Sequence, residues 1–188
     1  ATRDFKSSLR SCRNKKLSYY YNKDASSEDL AEISVSMFNK KKIKMMELED
    51  FDNFKSTLKD KILFIIAYDE NKVPLAYRAV LIFKKRAWDL AAATSQMGRK
   101  KHAGFGLLEK TIDLLISNSI DEFNLGALNS QTSGVNAFKI GSGAKERFYV
   151  GEYEYRKFLL LRFFVNLFIS ISLSKKLIGI SFLRRFFF

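Results

Sequence analysis

At 188 residues the chain is long enough for one domain with a sizeable core, and 47% hydrophobic with 28% charged residues excludes a disordered chain. A lone cysteine, Cys12, excludes an intrachain disulfide and fits a reducing compartment, while a lone histidine, His102, with no Cys/His cluster to help it, argues against metal catalysis. The formal net charge of +13 asks for an anionic partner: nucleic acid, a phospholipid surface or a phosphorylated substrate.

Residues 3–16 predict a short basic helix, with Phe5, Leu9 and Cys12 at helical spacing and six cations on the other faces. Cys12 reads as an incidental thiol, since cations but no histidine surround it. Residues 17–22 follow as a tyrosine-rich strand. Ser26-Ser27-Glu28-Asp29 starts a second helix, with serine caps and acids in its first turn. Leu30, Ile33, Met37 and Phe38 form its apolar face. It runs out in Lys40-Lys41-Lys42, a solvated helix end without the interleaved aromatics of a nucleic-acid surface.

A further helix covers residues 48–58 on Phe51, Phe54 and Leu58. Residues 62–68 (Ile-Leu-Phe-Ile-Ile-Ala-Tyr) form a continuous β-favouring run, read as a buried central strand. A turn at residues 69–72 leads into a long returning strand over 73–83, with Pro74 near its start, where a missing donor is tolerated. Residues 87–94 make the third strand of the meander. Its Leu90-Ala91-Ala92-Ala93 run is short-chained, so a ligand or another backbone can approach it closely.

Arg99-Lys100-Lys101-His102-Ala103-Gly104-Phe105-Gly106 then leads into a helix over residues 107–118. Strand, basic glycine-containing loop, helix is an arrangement that binds phosphate, because free N–H groups and the positive helix end face the anion. A strand over 123–128 is followed by the polar loop Asn129-Ser130-Gln131-Thr132-Ser133. Next comes a helix ending in Phe138-Lys139-Ile140-Gly141-Ser142-Gly143, whose glycines permit a sharp exit. Lys139 in its last turn is either a solvated C-terminal cation or a functional one. Residues 145–156 predict the last strand. The fold class expected is α/β: a mixed, mostly antiparallel sheet flanked by helices.

That order of elements, with Lys-x-x-Gly-x-Gly at Lys101, Gly104 and Gly106, resembles the GNAT superfamily of N-acyltransferases. More narrowly, Phe123-Asn124-Leu125-Gly126 and Gly134-Val135-x-x-Phe138-Lys139-x-Gly141-x-Gly143 resemble the Fem-type branch, the peptidoglycan-bridge aminoacyltransferases and their relatives in envelope polysaccharide synthesis. Thr2-Arg3-x-Phe5-x-x-x-Leu9-Arg10 is similar to the basic helix before the second GNAT-like domain of those enzymes. The resemblance covers residues 2–157, taken with residue 1 as one GNAT-like domain. It implies transfer of an acyl or aminoacyl group from acyl-CoA or aminoacyl-tRNA to an amine of a small-molecule or lipid-linked acceptor, without a metal. It also implies a donor lying along Ala91, Ala92 and Ala93, with its pyrophosphate on Lys101, Gly104 and Gly106. Asn129 falls in the loop that carries the narrower match. Lys139 would stabilise charge developing at the ester, and Phe138 would shape the donor channel or pack in the core. Tyr149, Tyr153 and Glu152 are candidates for the general base by position alone. Two departures stand out: Lys101 replaces the usual Gln or Arg, and the first of the two Fem-type domains is absent.

Residues 158–188 depart from the family. From residue 155 onward there are seven Lys/Arg and no acid, and eight of the 18 phenylalanines fall in the tail. Its longest charge-free stretch, twelve residues over 163–174, is shorter than the roughly 20 needed to span a bilayer. Apolar bulk mixed with cations is expected to lie in an anionic membrane surface, or to cover the domain or meet a second one. The expected location is cytoplasmic, with peripheral contact at the inner face of the membrane. The alternative to an enzyme is a basic module that binds membrane or RNA by charge.

Overall fold

The computed structural model describes residues 1–22, 25–41, 46–128 and 133–148. Every helix and strand below falls in the compact unit Ala1–Glu146. The tail, Tyr149 and Asn129 lie outside the described residues.

The core is a five-stranded sheet in the order β1 (Ser18–Asn22), β2 (Ile62–Tyr68), β3 (Pro74–Phe83), β4 (Arg86–Thr94) and β5 (Glu122–Asn124). The first four strands form an antiparallel meander, and β5 joins β4 in parallel. The long apolar runs of β2 and β3 are buried on both faces, as a sheet covered by helices on each side requires. On one face lie α2 (Ser27–Lys41) and α3 (Leu48–Leu58), whose Leu30, Ile33 and Phe51 pack on Phe64, Ile66, Tyr77 and Ala93. Phe51 sets its ring edge-on to Tyr77 at 5.4 Å, and the Tyr77 hydroxyl meets Ser34 Oγ at 3.0 Å, which satisfies the polar end of a fully buried ring. On the other face α5 (Ala103–Ser117) lays Ala103, Leu107 and Leu115 on Ile65, Ala67, Ala76 and Val80.

α1 (Arg3–Arg13), capped by the Thr2 hydroxyl, runs beside α5. Its Cys12 and the Tyr19 ring press against Gly106, where an added Cβ would stand 2.6 Å from Cys12 Sγ and 2.2 Å from the Tyr19 hydroxyl oxygen. α6 (Ser133–Gly141) is tied to the chain start by Thr2 N–H donating to Gly141 O at 2.8 Å. Among the described residues, no helix is long and apolar enough to cross a membrane.

Three boundaries differ from the sequence reading. The basic stretch before the main helix is not an open loop: Ser95 caps a short helix, α4 (Gln96–Lys100), its Oγ accepting from Gly98 N at 3.0 Å. α5 then begins at Ala103 rather than Leu107, so Gly104 and Gly106 are helical residues. β5 is three residues long where six were expected, and residues 145–148 are not in a strand.

Gly98 supplies a test of the α4 junction. A Cβ there would lie 2.3 Å from the Leu75 carbonyl oxygen, a backbone atom that accepts from the Ser95 N–H at 2.8 Å. Gly98→Ala is expected to destabilise the chain by about 1–3 kcal/mol in thermal denaturation. Gly134→Ala, with nothing within 4 Å, is expected to leave the melting temperature unchanged or slightly raised.

Candidate functional site

β5 pairs with Arg86, Ala87 and Trp88 of β4 and then leaves the sheet. β4 runs six residues further, to Thr94, with no strand on that side among the described residues. Where the two strands part, β4 carries a bulge: Val80 pairs with Asp89 and Ala79 with Ala91, so Leu90 is the extra residue. The bulge resets which residues face which layer. Asp89 and Ala92, three apart, come to the α5 side with Arg78, the partner of Ala92 in the ladder. Ala92 is exposed in the middle of the sheet, which makes it the floor of an uncovered strip. Ala93 is buried in the core against the opposite layer, and Ala91 is half-buried on that same side. Of the three alanines expected along a donor, Ala92 alone turns its methyl to this strip.

Two buried charges floor the strip beside Ala92. Arg78 Nη1 donates to Asp89 Oδ2, with only 5% and 11% of the two side chains exposed. Arg78 Nε and Asp89 Oδ1 have no partner among the described residues. Burial pushes the Asp89 carboxyl above its ordinary range, while the adjacent guanidinium pulls it back. Neither residue was singled out from the sequence. The available signal was one charge of each sign interrupting two adjacent apolar strands.

Lys139 reaches the same region from α6. Its Nζ donates to Ala127 O at 2.8 Å, three residues past the Asn124–Trp88 pairing, and stands 3.6 Å from where a Cβ on Gly126 would be. Burial lowers the pKa of its amine; the Asp89 carboxylate opposes that and the Arg78 guanidinium adds to it. Lys139 is therefore a half-buried cation at the parting of β4 and β5, not a freely solvated helix end. Phe138, beside it, packs in a cluster of three rings with Phe5 and Phe105, centroids 5.0–5.6 Å apart. Gly143, at φ 92°, supplies the left-handed exit from the helix, whereas Gly141 is helical and packs on Thr2 and Phe5.

The expected phosphate loop is arranged differently. Lys101 Nζ donates to Asp69 Oδ2 at 3.2 Å, bracing α4–α5 against the turn between β2 and β3. His102 takes a left-handed conformation at φ 56° to join the two helices, and its ring meets Phe105 edge-on. Gly106 lies under α1, where close packing accounts for the missing side chain. Gly104 sits in the first turn of α5, against Thr94 at the end of β4. A cavity of about 310 Å³ opens on the other side of α4, lined by Glu32, Ile33, Pro74, Gln96, Met97 and Lys100. It is separate from the strip between β4 and Lys139.

No protein-family model matches the chain, and no curated protein matches it. Solved structures do. An aminoglycoside acetyltransferase from an uncultured soil metagenomic sample superposes with a TM-score of 0.58 at 14% identity, over 77% of this chain and 99% of its own. An acetyltransferase of the GNAT family from Staphylococcus aureus MU50 gives 0.54 at 18% identity, over 68% and 82%. FemX gives 0.63 at 8% identity over 76% of this chain, which spans about half (52%) of FemX. The fold is that of the GNAT acetyltransferases. At these identities the likeness is one of architecture, and function on this GNAT-like domain has to be argued from its own residues.

Asp69 gives the pH test of how the glycine stretch is held. Its Oδ1 accepts from the Val73 and Asn71 N–H groups at 3.0 and 2.9 Å, and Lys101 pairs with its other oxygen. The Val73 bond is the largest of several effects that hold its carboxyl below the usual range. A depressed folded-state pKa contributes stability at neutral pH that is lost as pH falls through that pKa. Asp69→Asn is expected to lower the melting temperature at neutral pH. The gap to the parent should close below the ordinary carboxylate range; a gap constant with pH would contradict the assignment.

Proposed function

We propose that the chain is an N-acyltransferase, moving an acyl or aminoacyl group from a thioester or ester donor to an amine. The observation that carries the reading is the position of Lys139: a half-buried amine held by Ala127, on the loop that follows β5 where β5 leaves β4 and Ala92 stands exposed. A donor laid along Leu90–Ala92 meets unladdered β4 backbone and one small methyl, so an extended chain fits without displacing core. Attack by an amine on the donor carbonyl puts negative charge on oxygen. A fixed cation at that point, half out of water, is worth a few kcal/mol to the barrier. In this reading the first turn of α5, with Gly104 beside the end of β4, receives the donor phosphate. Lys101 would have to be shared with Asp69 to do so.

The donor is acyl-CoA or aminoacyl-tRNA, and the acceptor an amine of an envelope precursor such as an amino sugar or a peptidoglycan peptide. The FemX likeness supports this Fem-type reading as an analogy of architecture, with a second GNAT-like domain and an anionic membrane surface as the further partners proposed. A second reading, a non-catalytic module that holds RNA or membrane by charge, is favoured by α1. There Arg3, Lys6 and Arg10 stand at helical spacing, exposed and without an ion-pair partner among the described residues.

Thermal-shift titration with acyl-CoAs and with aminoacyl-tRNA identifies the donor class, since a specific donor raises the melting temperature by mass action. With that donor, Lys139→Met is expected to lower kcat/KM by about 100–1,000-fold while the unliganded melting temperature stays put. Ala92→Leu, which fills the floor, is expected to weaken donor binding. Transfer at the parental rate in the Lys139 variant would retire the catalytic assignment of Lys139, and no transfer by the parent chain with any donor would leave the charge-binding module.

A further inference from the structure

The cavity of about 310 Å³ that lies apart from the strip beside Lys139 is walled by two helices that follow one pattern. α2 contributes Glu32, Ile33 and Ser36, and α4 contributes Gln96, Met97 and Lys100. Residues at i, i+1 and i+4 fall on one side of a helix, so each wall sets an apolar side chain beside one charged and one uncharged polar group. The walls meet where Gln96 N–H donates to Ser36 Oγ at 3.3 Å. Glu32 and Lys100 each stand one helical turn, roughly 5–6 Å, from that junction. They line the same cavity, yet neither belongs to an ion pair among the described residues.

The base is built from the strand ends. Ser95, only 8% exposed, follows β4; its Oγ accepts from Gly98 N–H, and its hydroxyl donates to no group among the described residues. Pro74 opens β3. Ile33 is buried, whereas Met97 keeps 49% of its surface exposed, so apolar area remains for a ligand to cover. The volume stands at the lower end of the range for small-molecule sites, about 300–1,000 Å³. Its lining selects against ligands of a single charge. Phosphate would meet the Glu32 carboxylate, and a simple amine would meet the Lys100 ammonium.

We propose that this cavity binds a zwitterion of amino-acid size, a free amino acid or a short peptide with an apolar side chain. The ligand's ammonium sits at Glu32, its carboxylate at Lys100, and its side chain on Ile33, Pro74 and Met97. The flexible thioether of Met97 adapts to side chains of different shape. Ser95 Oγ–H is free to donate to a carboxylate or peptide oxygen. Both charges are solvent-exposed, so each adds modestly and the affinity is about millimolar. The site is separate from the donor strip and independent of acyl transfer.

Met97 reports on the cavity directly. Folded full-length chain labelled with carbon-13 at its methionine methyls carries four such groups, and the Met97 signal is assigned by its loss in Met97→Leu. Titration with L-leucine and with glycyl-L-leucine is expected to move the Met97 methyl saturably. N-acetyl-L-leucine, which lacks the ammonium, and L-leucine amide, which lacks the carboxylate, are expected to bind about two- to fivefold more weakly. In Glu32→Gln the preference for L-leucine over N-acetyl-L-leucine should vanish, and in Lys100→Met the preference for L-leucine over its amide. Both residues are exposed, so both variants are expected to fold. No saturable Met97 shift with either zwitterion overturns the proposal, as does a parent that binds the blocked forms equally well or variants that keep the parental preferences. Tighter binding of inorganic phosphate or of glucosamine than of either zwitterion overturns it too. No donor is present in the titration, so the result stands whatever rate of transfer Lys139→Met shows.

Discussion

Two neighbouring strands cannot separate in the middle of a sheet without exposing a ladder, and this domain is built around one such separation. β5 pairs for three residues, and β4 continues alone for six. The extra residue Leu90 sits just past the last pairing, and its effect is one of parity. Were Leu90 paired in regular register opposite Ala79, Ala91 would lie opposite Arg78 and Ala92 would turn into the layer of Tyr77 and Phe64. With Leu90 bulged out of the ladder, Asp89 and Ala92 both come to the side that α5 leaves uncovered. One inserted residue thus creates the floor of the candidate site and delivers its carboxylate.

The energetics follow from where that carboxylate lands. A buried aspartate costs several kcal/mol unless it is paired, and Arg78 is the only cation on the adjacent strand able to reach it. Stability alone would favour hydrocarbon at both positions. The surrounding sheet shows that such packing is available: Leu75, Ala76, Val80 and Ala87 on the same face are fully buried. Two polar atoms unmatched among the described residues thus stand amid a well-packed layer, at the floor of the candidate site. The rigid parts support it. Three phenylalanine rings from α1, α5 and α6 fix the helix that carries the lysine, and the Thr2–Gly141 bond pins that helix at its end.

The meander was legible because each of its strands is a long apolar or aromatic run bounded by charged turns, and period and length suffice to read such runs. β2 matches the expected residues 62–68 end to end. β5 was overread because Phe123–Leu128 is apolar enough for a strand, while its departure from β4 is decided by tertiary pairing, which no local pattern encodes. α4 was missed because basic residues obscured an ordinary serine cap at Ser95, and α5 was started late because its first turn contains two glycines that look like loop. Lys139 was readable by position near the helix end. Its electrostatic partners were not, since they lie 50 and 61 residues away and meet only through the β3–β4 register.

That register also redistributes the weight of the motifs. A glycine pair beside lysines invites a phosphate, yet Gly106 is accounted for by Cys12 and Tyr19, and Lys101 is engaged with Asp69 at the hairpin. Removing those two from the anion site leaves the first-turn amides of α5, a weaker grip than a loop of free N–H groups with an unshared cation. Binding strength for a donor must then come from elsewhere along it: the open β4 edge for an extended arm, and positive charge beyond the cleft for a polyanionic carrier. A chain of net charge +13 with a cationic stripe on α1 supplies the second in abundance. Long-range attraction of that kind is steeply salt-dependent, whereas hydrogen bonds to a strand edge are not. The salt dependence of donor affinity therefore separates a donor gripped mainly at its reacting end from one held mainly by its carrier.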